Sequence, residues 1–352
     1  MGSRSILPTI VSWLTGGRRT PPPPPTAEPE EGRAAPLSLA DVARSRQEAM
    51  QRAEEERAWQ VAARAAADLC NVLLVMGEWS QVLATSERGE KWLARQEEPL
   101  IRLYLRTQWA TAQHRLGGVA ESRAAFQEAE QWQVERKTGY HWLIGLPGKA
   151  YCDLLLEQAR ETREWEMVLH RSQYSQKVVK NQFAVAMDLQ VQGRALAALG
   201  QVDTARATFK HGVVTLRKAN RRSFLPNLLL YQAAFLRRQG EEGVQPALEE
   251  ALAIAVADGL RPAEADGRLL AGHLLLDEGR LAEAEAALLA AEALIDALGY
   301  GQRLAEANLL RARLLQKQGR LAEAEQWRAQ GMQRVERLGQ WGVVDRQSGV
   351  HG

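Results

Sequence analysis

Cysteine is nearly absent from these 352 residues: Cys70 and Cys152 stand alone. That excludes a disulfide framework and a four-cysteine zinc site. Both lie in helical apolar stretches and read as small buried thiols, which points to a reducing compartment. Proline is scarce where it would interrupt helices, since eight of the thirteen fall before residue 37. Aromatics make up only 6%, with ten Trp against five Phe and six Tyr. No apolar run is long enough to span a bilayer. The one candidate targeting stretch, SILPTIVSWLTGG at 5–17, is too short for that and lacks a small-x-small cleavage site. Ile6 stands where a myristoylation motif following Gly2 requires Ser or Thr. A cytoplasmic protein without a membrane span is expected.

What is present is helix-forming. Ala, Leu, Glu, Gln and Arg dominate from residue 39 onward, and these are strong helix formers. Residues 1–36 read as a disordered tail, because RRTPPPPPTAEPEEG at 18–32 favours extended polyproline II over a packed core. Ile6, Leu7, Ile10, Val11 and Leu14 before it have roughly helical spacing, either a docking helix on a stiff tether or a loose end. Helix is expected from Ser38, with Asp41 completing a capping-box-like start, running as one helix through Gln60. Residues 37–345 form the helical domain, and 346–352 a disordered end.

The strongest signal is a repeat. GRLAEAE occurs at 279–285 and again at 319–325. Aligning on the glycine that ends a helix places Gly77, Gly117, Gly200, Gly240, Gly279 and Gly319 in one slot, at intervals of 39 or 40 wherever units are consecutive. The gap from 117 to 200 leaves room for one more unit. LLLEQARETREWEMVL at 154–169 supplies it, with Arg163 in the glycine slot and a short insertion before it. Trp165 then matches Trp79. Seven units result. Small residues recur seven before the glycine (Cys70, Ala110, Gly193, Gly272, Ala312) and five after (Ser122, Ala205, Ala284, Ala324). Large ones recur at +9 (Phe126, Phe209, Leu288). Small residues at fixed points let helices approach closely while large ones fill the grooves.

This pattern resembles the tetratricopeptide repeat, over about residues 55–340. The forty-residue period exceeds the usual thirty-four, and long repeats of this kind are similar to the sensor arms of MalT-like regulators and related signal-transduction NTPases. LIGLPGKAYCDLLLEQA (143–159) and RRSFLPNLLLYQAAFLRRQG (221–240) carry that narrower likeness. The NTPase and DNA-binding modules of those regulators have no counterpart in this sequence. The resemblance implies an all-α, right-handed superhelical solenoid of antiparallel helix pairs. It also implies a non-enzymatic interaction scaffold, a sensor or adaptor in a bacterial signalling system, working with a separately encoded NTPase. A constitutive assembly factor or co-chaperone-like clamp is the alternative. Each unit is expected to lean only on its neighbours. A hinge is expected at the Arg163 unit, where hydrogen exchange should find less protection than at the Gly279 unit; equal protection would refute it.

No catalytic constellation emerges. GLPGKA at 145–150 lacks the first glycine and the Ser/Thr of a phosphate loop and reads as a turn between helices. None of the six histidines pairs at i, i+4, so no metal or cofactor is expected. Charge, by contrast, is uneven: from Met167 to Gly240 there are twelve Lys/Arg against Asp188 and Asp203, a local balance of +10 in a chain of net +2. In stacked helix pairs the first helix of each unit lines the concave groove. Six residues before the slot glycine lie Arg194, His273 and Arg313; two before lie Arg238 and Lys317. Gln190, Asn227 and Arg237 are close by. Arg206, Lys210 and Arg217 share an outer stripe. These eight groove positions read as a site for an acidic peptide or protein segment, since an Arg fork grips carboxylates. The competing reading is a contact with the protein's own acids, Glu28, Glu30 and Glu31 among them. Nucleic acid is a third reading, weakened because no Trp lies between Trp165 and Trp327. RVERLGQWGVV at 334–344 either caps the array or pairs with a second copy.

Overall fold

The computed structural model describes residues 38–94, 98–135 and 139–341. The tail, with its proline run, its apolar stretch and Glu28, Glu30 and Glu31, lies outside them, as does the end from 342. Fifteen α-helices and no strand occur among the described residues. No described helix is long and apolar enough to cross a membrane. A leading helix, α1 (Leu39–Glu55), precedes seven pairs: α2 (Trp59–Met76) with α3 (Trp79–Leu93), α4 (Pro99–Leu116) with α5 (Val119–Glu135), α6 (Gly145–Gln158) with α7 (Thr162–Val178), and α8 (Gln182–Ala198) with α9 (Val202–Lys218). Then follow α10 (Leu225–Gln239) with α11 (Val244–Ala257), α12 (Arg261–Asp277) with α13 (Leu281–Leu298), and α14 (Leu304–Lys317) with α15 (Leu321–Leu338). Ser38 caps α1 by accepting from the Asp41 amide. The leading helix stops short of Gln60, because Arg57 adopts a left-handed φ of 56° and a new helix starts at Trp59.

The repeat slots have a physical basis. All six slot glycines have φ between 66° and 91°, a conformation that only glycine adopts without cost and that ends a helix abruptly. The second helix then starts two residues after that glycine in five of the six units and four residues after Gly240. Cys70, Ala110, Ser122, Ala205, Phe126, Phe209 and Leu288 are all buried. A Cβ on Gly193 would meet the Phe209 ring at 2.8 Å, so the aromatic of one helix fills the space left by the missing side chain on its partner.

Arg163 does not occupy the turn. It is the second residue of α7, and the chain turns at 159–161, where Ala159 closes α6 in an extended conformation. An extended exit needs no glycine, which is why the slot is disguised there. Taking Ala159 as the slot gives intervals of 42 and 41 from Gly117 and to Gly200, close to the period elsewhere. GLPGKA is the first turn of α6 rather than a turn between helices, and Gly148 leaves no room for a Cβ, which would lie 2.3 Å from the Leu143 carbonyl oxygen. The connection before it, 136–144, is the longest between any two helices.

Successive first helices touch one another along the whole array, while second helices touch mainly their own partners and the next first helix. The first helices thus form an inner layer. The units do not, however, lean only on their neighbours. A Cβ on Gly77 would meet Pro262 and Leu298, both at 2.9 Å; Gly117 faces Gly301; Gly339 faces Gln158. The Pro262, Gly301 and Gly339 contacts join the turns of the first three units to residues 181–185 positions later, about four and a half units on. The array has curled until its last units pack under its first, and one hydrophobic core accordingly holds Ala66, Cys70 and Leu105 together with Leu269, Ile295 and Leu310. Trp79 lies against Tyr300 with ring centroids 4.6 Å apart. The segment 334–341 caps this arrangement: Gln340 is fully buried and Arg160 stacks over Trp341 at 3.4 Å.

Candidate functional site

Curling brings the inner faces of six units together around one cavity of about 150 Å³. Its wall is supplied by α2, α4, α6, α8, α10 and α12, with Trp79 from the start of α3, residues 223, 224 and 260 from the connections before α10 and α12, and Tyr300 from the turn after α13. Leu74, Trp79, Tyr104, Met187, Phe224 and Leu260 provide apolar surface. Four amides, Asn71, Gln108, Gln190 and Asn227, face the same space. Gln108 Nε2 donates to the Ala67 carbonyl and to Asn71, at 2.8 and 2.9 Å, which leaves Gln108 Oε1 buried without a partner. Gln190 Nε2 is likewise buried and unpartnered.

Charged groups edge the cavity in two adjoining clusters. In one, three cations converge on a single carboxylate: Lys149 Nζ donates to Asp153 Oδ2 at 2.6 Å, Arg194 Nη1 to Asp153 Oδ1 at 2.5 Å, and Arg115 stands close enough to act on Asp153 through space. Burial pushes the Asp153 carboxyl up, but Lys149, Arg194 and Arg115 together outweigh it and hold the group below its ordinary value. Arg194 also stacks over Tyr231 at 4.2 Å. In the other, one cation meets three carboxylates. Arg303 grips Asp266 with two hydrogen bonds of 2.6 and 3.0 Å and lies 3.9 Å from Glu157 and 3.5 Å from Glu306. Glu157, only 2% exposed, accepts from Gln302 and pairs with His114 at 3.1 Å. The chain of contacts continues from Glu306 to His273, whose Nδ1 accepts from Arg313, and on through Asp277 to Arg237. Burial lowers the His273 pKa, reinforced by Arg237 and Arg313, so the ring is neutral at neutral pH.

The eight positions expected in the groove are therefore not a continuous free surface. Gln190 and Asn227 line the large cavity. Asn227, Arg237, Arg238 and His273 line a smaller one of about 50 Å³ beside it. Arg194 is engaged by Asp153, Arg237 and Arg313 share Asp277, and Lys317 is exposed on the last turn of α14. Half of the twelve basic residues from 167 to 240 are paired with carboxylates of this chain: besides Arg194 and Arg237, Arg171 pairs with Glu130, Arg206 with Asp203 and Glu241, Arg217 with Glu250, and Arg222 with Asp258. Residues missed by the sequence reading include Asn71, Gln108, Arg115, Asp153, Asp266 and Tyr300.

Neither thiol is available for chemistry. Burial pushes both Cys70 and Cys152 up to about 12. Among the described residues no group of three or more His, Cys, Asp or Glu is arranged to hold a metal ion. One buried carboxyl does stand without a cation: Asp188 accepts from Ser175 Oγ at 2.9 Å, and burial pushes its pKa up to about 8 against the lowering effect of that bond. An unfolded Asp titrates near 3.9, so between about pH 4 and pH 8 folding takes up a proton and stability falls as pH rises. Asp188→Asn is expected to remove that slope, gaining at least about 1 kcal/mol over wild type at pH 8 relative to pH 5. Urea melts at the two pH values measure it; parallel profiles for the two proteins would refute it.

No family model matches this chain, and no curated protein matches it.

Proposed function

We propose that this chain is a non-enzymatic sensor or adaptor of a bacterial signalling system, built as a right-handed superhelix of antiparallel helix pairs of the long tetratricopeptide, MalT-like type. It takes a ligand at the centre of the array and presents its outer helices to a protein partner, a separately encoded NTPase being the kind the repeat type implies. One observation carries the reading: inner helices from six units, distant in sequence, share a single cavity. Occupancy of such a site acts on all six at once, so ligand binding and the curvature of the array are coupled. A cavity of about 150 Å³ admits a small molecule or one side chain rather than an extended peptide, so the ligand end of a protein segment would enter only by its tip.

The competing reading is a constitutive assembly clamp. It draws on the buried charge network from His114 to Arg237, which would hold one curvature regardless of ligand. Small-angle scattering separates the two. A sensor changes its radius of gyration, or its cooperative melting, when a cavity ligand is added; a clamp keeps both. A polyanion reading has least to work with, because Arg171, Arg194, Arg206, Arg217, Arg222 and Arg237, six of the twelve basic residues from 167 to 240, already pair with carboxylates. No retardation of duplex DNA is expected at physiological salt. Charge reversal at Arg194 or Arg237 is not a usable test of docking, since each breaks a buried ion pair.

A further inference from the structure

Of the charged groups in the cavity wall, Lys149, Asp153 and Asp266 hold partners of opposite charge while Arg115 does not, and that selects for a ligand class. Asp153 is the one carboxylate shared by Lys149 and Arg194, and Arg115 adds a third positive charge to the same corner. Arg115 makes no carboxylate ion pair of its own. Its Nη1 donates only to neutral acceptors, the Gln302 amide oxygen at 2.7 Å and the Tyr300 hydroxyl at 3.4 Å. A guanidinium carries five donors in a planar fork suited to a carboxylate, so most of its capacity is unspent, in a wall where solvent screening is weak. Gln190 Nε2, on another wall of the cavity, is a second buried donor without a partner.

The rest of the wall is apolar and aromatic, with Leu74, Trp79, Tyr104, Met187 and Phe224. A space of about 150 Å³ is the size that holds a single six-membered ring. We propose that the central cavity binds a small organic monocarboxylate with an apolar or aromatic body of about one ring, its carboxylate on Arg115 and its body against Trp79, Tyr104 and Met187. This rests on the reading of the cavity as the ligand site. Because Arg115 also holds Gln302 and Tyr300, the same guanidinium that takes the carboxylate latches the last units onto the first. Ligand and latch meet at one side chain, which is the route by which occupancy reaches the curvature of the array.

The test uses the full chain and ligand-observed NMR with benzoate, 3-phenylpropanoate and hexanoate, each beside its matched alcohol and amine. Binding of at least one carboxylate, about tenfold tighter than its alcohol, is the expected result. Arg115→Met, which keeps the stem and removes the fork, is expected to weaken that carboxylate about tenfold. Thr111→Phe, one turn away on α4 and also in the cavity wall, keeps Arg115 and fills the space; it is expected to abolish binding of every probe. Equal binding of carboxylate and alcohol, or an undiminished carboxylate in Arg115→Met, overturns the ligand class while leaving the cavity reading intact. Tight carboxylate binding that survives Thr111→Phe places the site elsewhere and overturns both. Absence of binding by every probe overturns both as well.

Discussion

Asp153→Ala is expected to cost about 3–5 kcal/mol of stability, the range for stripping the partner from a buried ion pair. The side chains it abandons are 14% exposed at Lys149 and 11% at Arg194, so neither cation has water to turn to. Arg115 stands nearby as a third, and the three repel one another once the carboxylate is gone. Asp153→Asn keeps the shape and an acceptor oxygen and should recover only part of the loss. The pH dependence has a definite sign. Because the folded-state pKa is held below the unfolded one, the contribution is fully present above about pH 4, the unfolded value, and is lost as pH falls through the folded value. Urea midpoints at pH 7 and at acid pH check this. A midpoint within error of wild type at pH 7 would mean that the cluster is solvated in solution.

Gly301→Val is expected to be nearly as damaging, for a steric reason. A Cβ at position 301 would sit 2.2 Å from the Leu116 oxygen and 2.7 Å from its carbonyl carbon, and backbone cannot rotate aside as a side chain can. Overpacking of this kind costs about 1–3 kcal/mol, and here the relief is to part α4 from the turn after α13. The Trp79–Tyr300 contact and the Gln302–Glu157 bond sit at that same seam and would be lost with it. The array should open, with a larger radius of gyration, while its helix content stays near wild type. Leu321→Ala serves as the control, since Leu321 is 66% exposed and lies away from the seam in the last helix. A Gly301→Val protein with unchanged scattering would show that the seam does not hold the array shut.

Much of the repeat is legible because each slot obeys local rules. A glycine must sit where φ turns positive, and a small residue must sit where two helices cross. The centre of the site was within reach of the same rules. The offsets that placed Arg194, His273 and Arg313 in the groove give Asn71 and Thr111 in the first two units at six before the glycine, and Val75 and Arg115 at two before. All four line the cavity. With the third slot at Ala159 instead of Arg163, these offsets return Asp153 and Glu157, two of the buried acids of the network. That slot was hidden because an extended helix exit carries no glycine.

The curling itself left no comparable mark. Gly117 meets Gly301 and Gln158 meets Gly339 across an interval that matches no sequence period. Curvature accumulates from small rotations at every unit interface, and no single residue encodes it. The basic bias from 167 to 240 was visible as composition, but not its neutralisation. The compensating acids Glu130, Asp153, Glu241, Glu250, Asp258 and Asp277 are between thirty-three and forty-one residues from their partners and sit outside their partners' helices.

The central claim is that units far apart in sequence are held together around the cavity. Native-state hydrogen exchange on wild type and Gly301→Val tests it most directly. Closure predicts that the substitution lowers protection not only around residues 281–338 but also in α2 and α4, more than 180 residues away. Loss of protection confined to α13, α14 and α15, with α2 and α4 unchanged, would contradict it.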